Sequence, residues 1–486
     1  MVATTEGGTW MFEQLRELRN KHGFEVAAIV SGDRGRLIDK LRSENIPFHV
    51  FDFRPGFGSP RALFELPLAV LRLARLLRRE RFDVVQTHIF ATMMLGRPAA
   101  WLADVPVRLA MIAGPFQLEA PTCRWIDRAT WWMETTLIAA CEKSVELCRE
   151  IGVRKDRLCL IYYTPDEQKF DPAKTRRAKI REQFGWAPDT PVIGMIAYFY
   201  PRLLKSGWIP DYAQNRGVKG HEDLINAAVI VLKRFPNAKF LLVGSGWTAA
   251  GDQYQEEMKT MVRKLGLEDS VIFTGFHENV NGVLRELDIA VQASISENLG
   301  GTVEALLMER PLVATRVGGM VDTVKDGETG LLVNPSDPDD LARAVIQLLG
   351  DPQRASASGV AGRKLMLERF TLAHTASQLA ELYERLLTRE NGRRRFYSPL
   401  VFGCRLVLAA PVFAYVAFRF FVIDIFVPIY LPDYLAVTRG LLIRACYLPV
   451  RVFYYALTIA VRAWKSIRPN KTSLLTPSEL DELGKE

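Results

Sequence analysis

Two doubly wound α/β halves facing each other across a cleft, followed by a basic apolar segment, are the architecture this sequence predicts. Three observations predict it. Short apolar runs alternate with amphipathic stretches through residue 388, as buried parallel strands alternate with the helices that join them. The stretch "GWAPDTP" at 185–191 parts two such series with a glycine and two prolines. Charge is pooled: the chain carries a formal +8, and residues 391–468 hold eleven Lys or Arg against only Asp424 and Asp433.

In the first series, residues 25–30, 82–88 and 108–114 read as buried strands. Helical patterns at 9–23 and 62–80 lie between them. The second series runs through strands at 192–198, 239–246, 271–276, 289–294, 311–317 and 330–334, with helices at 221–234, 253–265, 301–309 and 337–349. The expected division is a Rossmann-like half over 1–188 and a second over 189–371. A helix over 372–390 then closes the second half or crosses back to the first. A first strand should precede the Gly7-Gly8 pair, yet "MVATTE" is too short and polar for one. Either the start is truncated or the first half is built without its usual first strand.

The six cysteines, Cys123, Cys141, Cys148, Cys159, Cys404 and Cys446, form no Cys-x-x-Cys pair. They read as reduced thiols of a cytosolic protein, and the opening residues carry no secretory signal. No Ser-His-Asp set, metal-ligand cluster or Walker lysine is present, so no metal and no cofactor are expected. A nucleic-acid partner is excluded by pattern. RNA binding calls for a basic face with exposed aromatics on strands, whereas the aromatics here sit among Leu, Val and Ile.

The chemistry concentrates in "SENLGGTVEALLMERPLVATRVGG", 296–319. Gly300 and Gly301 let backbone approach a bulky ligand, and the helix that begins near Gly301, with Thr302 in its first turn, turns its unpaired N–H groups towards a diphosphate. Glu304, one turn into the helix, could accept from two vicinal hydroxyls, as on a ribose. Glu297, before the turn, could do the same for a sugar beyond the phosphates. The spacing equally allows Glu304 to be a helix N-terminal acid favoured by the dipole and Glu297 a surface loop residue.

This stretch resembles the C-terminal signature of the retaining GT-B glycosyltransferases, the group 1 family, from Ser294 through Asp337. The resemblance extends over residues 7–388 and is strongest in the second half. It implies that Glu297 contacts the transferred sugar and Glu304 the nucleotide ribose, although the glutamates stand one residue closer than the family's spacing. It implies an Arg and a Lys after the first strand of the second half, offsetting the diphosphate leaving group. "RGVKGHEDLINAA" supplies Lys219. Tyr198 stands where the Arg should be, and an insertion follows. Arg202 and Arg216 are then the candidates, with Arg202 preferred because it lies closer to the strand. Gly7 and Gly8 resemble the glycine turn that brings the first helix to the diphosphate. His88 resembles a histidine facing the cleft, although a capping or core role suits it equally well. The resemblance also implies transfer with retention, in which the protein positions groups and stabilises charge.

After residue 391, the apolar stretches 398–432 and 440–464 are broken by arginines. The longest uncharged run in the first, 406–418, is thirteen residues, short of the roughly twenty that a span needs. Arg405 with Arg419, and Arg444 with Arg451, fall on shared helix faces. Residues 391–470 are therefore expected to lie as interfacial helices against anionic lipid, ahead of a polar tail at 471–486; a bent spanning hairpin is the alternative. The expected protein is a glycosyltransferase at the cytoplasmic face of a membrane. It would move a sugar from a nucleotide-sugar to a lipid-linked or membrane-associated acceptor in surface polysaccharide or glycolipid synthesis. A protein acceptor, or a catalytically silent scaffold of the same fold, are the alternatives.

Overall fold

The computed structural model describes residues 1–55 and 61–391. Twelve strands among these fall into two parallel systems. The first comprises β1 (Ala28–Val30), β2 (Phe48–Val50), β3 (Val84–His88), β4 (Val107–Ile112), β5 (Thr136–Ala139) and β6 (Leu158–Leu160). The second comprises β7 (Val192–Ile196), β8 (Lys239–Val243), β9 (Val271–Gly275), β10 (Ile289–Gln292), β11 (Leu312–Thr315) and β12 (Leu331–Val333). The strand pairs are parallel throughout. β2, β5 and β6 are additions to the sequence reading. They are three or four residues long, too short for alternation to stand out from a buried helix segment.

The second sheet has the order β12-β11-β10-β7-β8-β9. Chain order reverses between β7 and β10, and ligands of such sheets bind beyond the strand carboxyl ends at that reversal. β7 leads towards Lys219 and β10 towards Glu297. The topology therefore delivers the two residues to one place although 78 positions separate them.

The first sheet is held together by one residue. β1 pairs with β2 and β3 with β4, and Val2 forms parallel bridges to both Val30 and His88. Its N–H donates to the Ile29 carbonyl at 3.0 Å, while the His88 N–H donates to the Met1 carbonyl at 3.0 Å. Val2 is fully buried between the two strand pairs that it joins. The hexapeptide was too polar to make a strand but not to make this bridge.

The helix Leu372–Asn391 crosses back. Leu379, Leu382, Tyr383 and Leu386 pack with Leu18, Val107, Leu109 and Ile138 of the first half, and the Tyr383 hydroxyl donates to Gln86 Oε1 at 2.6 Å. The basic apolar segment and tail expected beyond this helix lie outside the described residues. Among those described, no helix is long and apolar enough to cross a membrane.

Candidate functional site

Beyond β7 and β10 the Lys219 ammonium is bonded to Glu297 Oε2. The same oxygen accepts from Ser294 Oγ at 3.2 Å, and Oε1 accepts from the Asn298 N–H at 3.1 Å. Lys219 Nζ also stands 5.7 Å from the centre of the Tyr200 ring. Burial alone would lower the lysine pKa, but the Glu297 carboxylate and Tyr200 outweigh it and hold it above the ordinary value. Lys219 is therefore a fixed positive charge bonded to the Glu297 carboxylate.

Glu304 lies in the first turn of the helix Thr302–Leu307. Its Oε2 is buried and has no hydrogen-bond partner. Burial pushes its pKa up to about 7; nearby Glu13 and Glu297 add to the rise, and Lys219 opposes it. An unpartnered buried carboxylate oxygen is costly, and such a group marks a place where a ligand's hydroxyls would be favoured.

The Gly300-Gly301 pair does its work against the protein itself. Gly300 has φ +59, and a Cβ there would lie 2.9 Å from Glu297 Cγ. One on Gly301 would lie 2.5 Å from Gln292 Nε2. The glycines thus let the loop fold back over the end of β10 and set Glu297 in place, beyond any approach to a ligand. The Thr302 hydroxyl is also turned inward. It donates to the Leu299 carbonyl at 2.5 Å and pairs with Thr323 Oγ1 at 2.8 Å, so its side chain is committed to the protein.

Neither candidate arginine joins Lys219. Arg202 is held by Glu257 at 3.0 Å, by Glu222 at 3.3 Å and by the Asn215 carbonyl at 2.7 Å. Arg216 is held by Asp223 at 2.6 Å. Both are taken by carboxylates on the helices His221–Arg234 and Ala249–Leu265, so proximity to β7 in sequence was a poor guide. The insertion that carries Arg202 instead crosses to the first half. The Thr122 N–H donates to the Gly207 carbonyl at 2.9 Å, Trp208 meets Phe90 edge-on, and the Tyr212 hydroxyl bonds to Glu119.

His88, at the end of β3, is buried. It is 4% exposed and packs against Trp10 at 4.7 Å between ring centres. Burial, with the buried N-terminal amine nearby, keeps its pKa well below the usual value. It is a neutral imidazole whose Nδ1 is buried without a hydrogen-bond partner. Gly8 takes φ +80 and caps the helix Thr9–His22. A Cβ on Gly7 would lie 3.4 Å from Trp247 of the second half, so this turn is where the halves meet. Glu13 on that helix is a residue that the sequence reading passed over. Its carboxylate is 4% exposed, is paired with Lys169, and is close enough to Glu304 to raise its pKa. Nothing in the pattern of residues 9–23 singles it out from an ordinary helix acid.

Comparison with known proteins places the chain among glycosyltransferases. Residues 6–164 match the glycosyl transferase 4-like domain, and residues 212–351 match the glycosyl transferases group 1 domain. The chain is 27% identical over 343 residues to the 2-deoxystreptamine glucosyltransferase of Streptomyces kanamyceticus, covering 67% of this chain and 83% of that one. It is 32% identical over 227 residues to the GDP-mannose-dependent alpha-(1-6)-phosphatidylinositol monomannoside mannosyltransferase of Mycolicibacterium smegmatis. That match covers 45% of this chain and 53% of the relative. Among solved structures, Anabaena HepE in complex with UDP and glucose superposes with a TM-score of 0.66 at 20% identity, covering 79% of this chain and 98% of that one. The sucrose-phosphate synthase of Thermosynechococcus elongatus gives 0.63 at 20% identity, covering 79% and 94%. At that identity the likeness is one of fold.

Proposed function

This chain belongs to the glycosyl transferases group 1 family, and from that premise we propose that it transfers a sugar, with retention, from a nucleotide-sugar to a lipid-linked or membrane-associated acceptor. The observation that carries the reading is the Lys219–Glu297 pair at the strand-order reversal, with the unpartnered Glu304 oxygen nearby. Glu304 accepts from the vicinal ribose hydroxyls, which satisfy the buried oxygen. Lys219 offsets the charge that develops on the diphosphate as the bond from the sugar C1 to the phosphate oxygen breaks. The acceptor hydroxyl oxygen bonds to C1 on the same face and gives its proton to the departing phosphate oxygen. Retention follows without a protein nucleophile, and the protein's share is positioning and charge. Glu297, held by Lys219 and Ser294, is oriented to take a sugar hydroxyl.

The acceptor class rests on two supports. One relative acts, by its name, on a phosphatidylinositol mannoside. The chain beyond residue 391 is apolar and strongly basic, the composition that binds anionic lipid at a membrane surface. The cytoplasmic face, where that charge meets anionic lipid, is the proposed location. Release of nucleoside diphosphate is the test, measured with UDP- and GDP-sugars in the presence of liposomes that carry glycolipid acceptors. Product should form, and deleting residues 392–486 should lower transfer to the embedded acceptor and abolish flotation with anionic liposomes. No release with any donor would sink the enzyme reading; a truncated protein that still floats would sink the assignment of the membrane contact.

A further inference from the structure

We propose that Arg36, from the first half, supplies the guanidinium that neutralises the diphosphate of the bound nucleotide-sugar; this rests on the transferase reading above. The case begins with charge. A nucleoside diphosphate brings at least two negative charges, while Lys219 is bonded to Glu297, and Glu304 and Glu13 add further acid nearby. Arg202 and Arg216 are spent on Glu222, Glu257 and Asp223. The second half therefore offers the diphosphate little net positive charge, and Tyr198, two residues beyond β7, adds none.

Arg36 reaches that very tyrosine. Its Nη2 donates to the Tyr198 hydroxyl at 3.1 Å, and its guanidinium lies 4.5 Å from the centre of the Phe276 ring. Tyr198 follows β7 and Phe276 follows β9, so an arginine of one half is laid along the carboxyl edge of the other half's sheet. The backbone explains the placement. Gly35 has φ +127, and a Cβ there would lie 2.5 Å from the Thr5 carbonyl. That close approach lets the Leu37 N–H donate to the same carbonyl at 2.9 Å. The start of the helix Arg36–Ser43 is thereby pinned beside the Gly7-Gly8 turn.

A continuous run of contacts leads from there to the site. Tyr198 meets Trp247 at 5.0 Å and Tyr200 at 6.4 Å between ring centres, and Tyr200 lies under the Lys219 ammonium. The present partners of Arg36 are also easily given up. One is a neutral phenol; the other is Glu6 at 3.0 Å, in a pair whose side chains are 44% and 49% exposed. Exposed pairs of this kind contribute little. A diphosphate offers the planar fork a stronger, bidentate partner.

Calorimetric titration with nucleoside, nucleoside monophosphate and nucleoside diphosphate, of both UDP and GDP series, tests the assignment. Arg36→Ala should weaken diphosphate binding by about 10–100-fold, as loss of a charge-assisted contact does, and leave nucleoside binding unchanged. Arg36→Lys should recover part of the loss, and Tyr198→Phe should bind diphosphate within about threefold of the wild type. Diphosphate binding by Arg36→Ala at wild-type strength would overturn the proposal while leaving the transferase reading intact. Equal loss of nucleoside and diphosphate would also overturn it, because Arg36 would then serve the base through Phe276. A Tyr198→Phe loss as large as that of Arg36→Ala would reduce Arg36 to a support for Tyr198. Failure of the wild type to bind either diphosphate would overturn the transferase reading and this assignment together.

Discussion

Lys219→Ala is expected to lower kcat/KM by about 10²–10³-fold, the usual cost of removing one charged group aimed at a developing oxyanion. The lysine has no conformational latitude to spare, being bonded to Glu297 and set over Tyr200. Its removal does two things. It withdraws the positive charge from the leaving group, and it strips Glu297 of its counter-charge in a site where that side chain is only 15% exposed. The second effect alone would repel a diphosphate. The double variant Lys219→Ala/Glu297→Gln separates the two: nucleoside diphosphate binding should recover towards the wild type, while turnover stays low. Near-normal turnover in the single variant would remove the lysine from the mechanism. Failure of the double variant to regain binding would mean that Lys219 contacts the nucleotide directly, and that relief of Glu297 contributes nothing.

Why Lys219, Glu297 and Glu304 were legible while the arginines were not comes down to what each position depends on. Glu297 and Glu304 sit in the loop and first turn that follow β10, and Lys219 stands two residues before the helix His221–Arg234, in a fold whose strand reversal brings these elements together. Residue type, with a place just after a strand or just before a helix, is enough to bring them to one region. Arg202 lies in an insertion whose path is set by tertiary contacts with Thr122, Phe90 and Glu119, Arg216 directly follows it, and their partners Glu222, Asp223 and Glu257 are ordinary helix acids by pattern. Arg36 is the converse case. Its sequence neighbours mark it as a solvated helix charge, and only the meeting of the two halves sets it on Tyr198. Thr302 and the glycine pair were rightly placed at the loop, but their atoms face Leu299, Thr323, Gln292 and Glu297, a matter of side-chain direction that a linear pattern does not carry. Val2 shows the limit of strand reading from composition, since one residue of a polar hexapeptide is fully buried and bridges β1 and β3.

Glu304→Gln should make the ligand-free protein more stable at pH 8 and a poorer nucleotide binder at the same time. The folded-state pKa of Glu304 is about 7 against an ordinary value of 4.5, so the folded protein holds a proton there that the unfolded chain has lost. Stability consequently falls as pH rises from about 4.5 to about 7, and the full cost of the buried charge is present above that. A displacement of this size corresponds to at most about 3 kcal/mol, and roughly 1–3 kcal/mol is expected after relaxation of the site. The glutamine carries no charge and avoids that cost. Its Tm should exceed that of the wild type by a few degrees at pH 8 and match it at pH 5. Binding should move the other way. Ribose hydroxyls donate to the ionised carboxylate, so the wild-type affinity for nucleoside diphosphate should rise as pH passes through about 7, with a proton released below it. An amide offers one acceptor and an unwanted donor, so Glu304→Gln should bind about 10–100-fold more weakly at pH 8. Ionisation of the terminal phosphate affects both proteins alike, so the difference between their pH profiles isolates Glu304. A glutamine variant no more stable than the wild type at pH 8 would mean that the unpartnered oxygen carries no stored cost. A variant that binds nucleotide at full strength would mean that the ribose lies elsewhere.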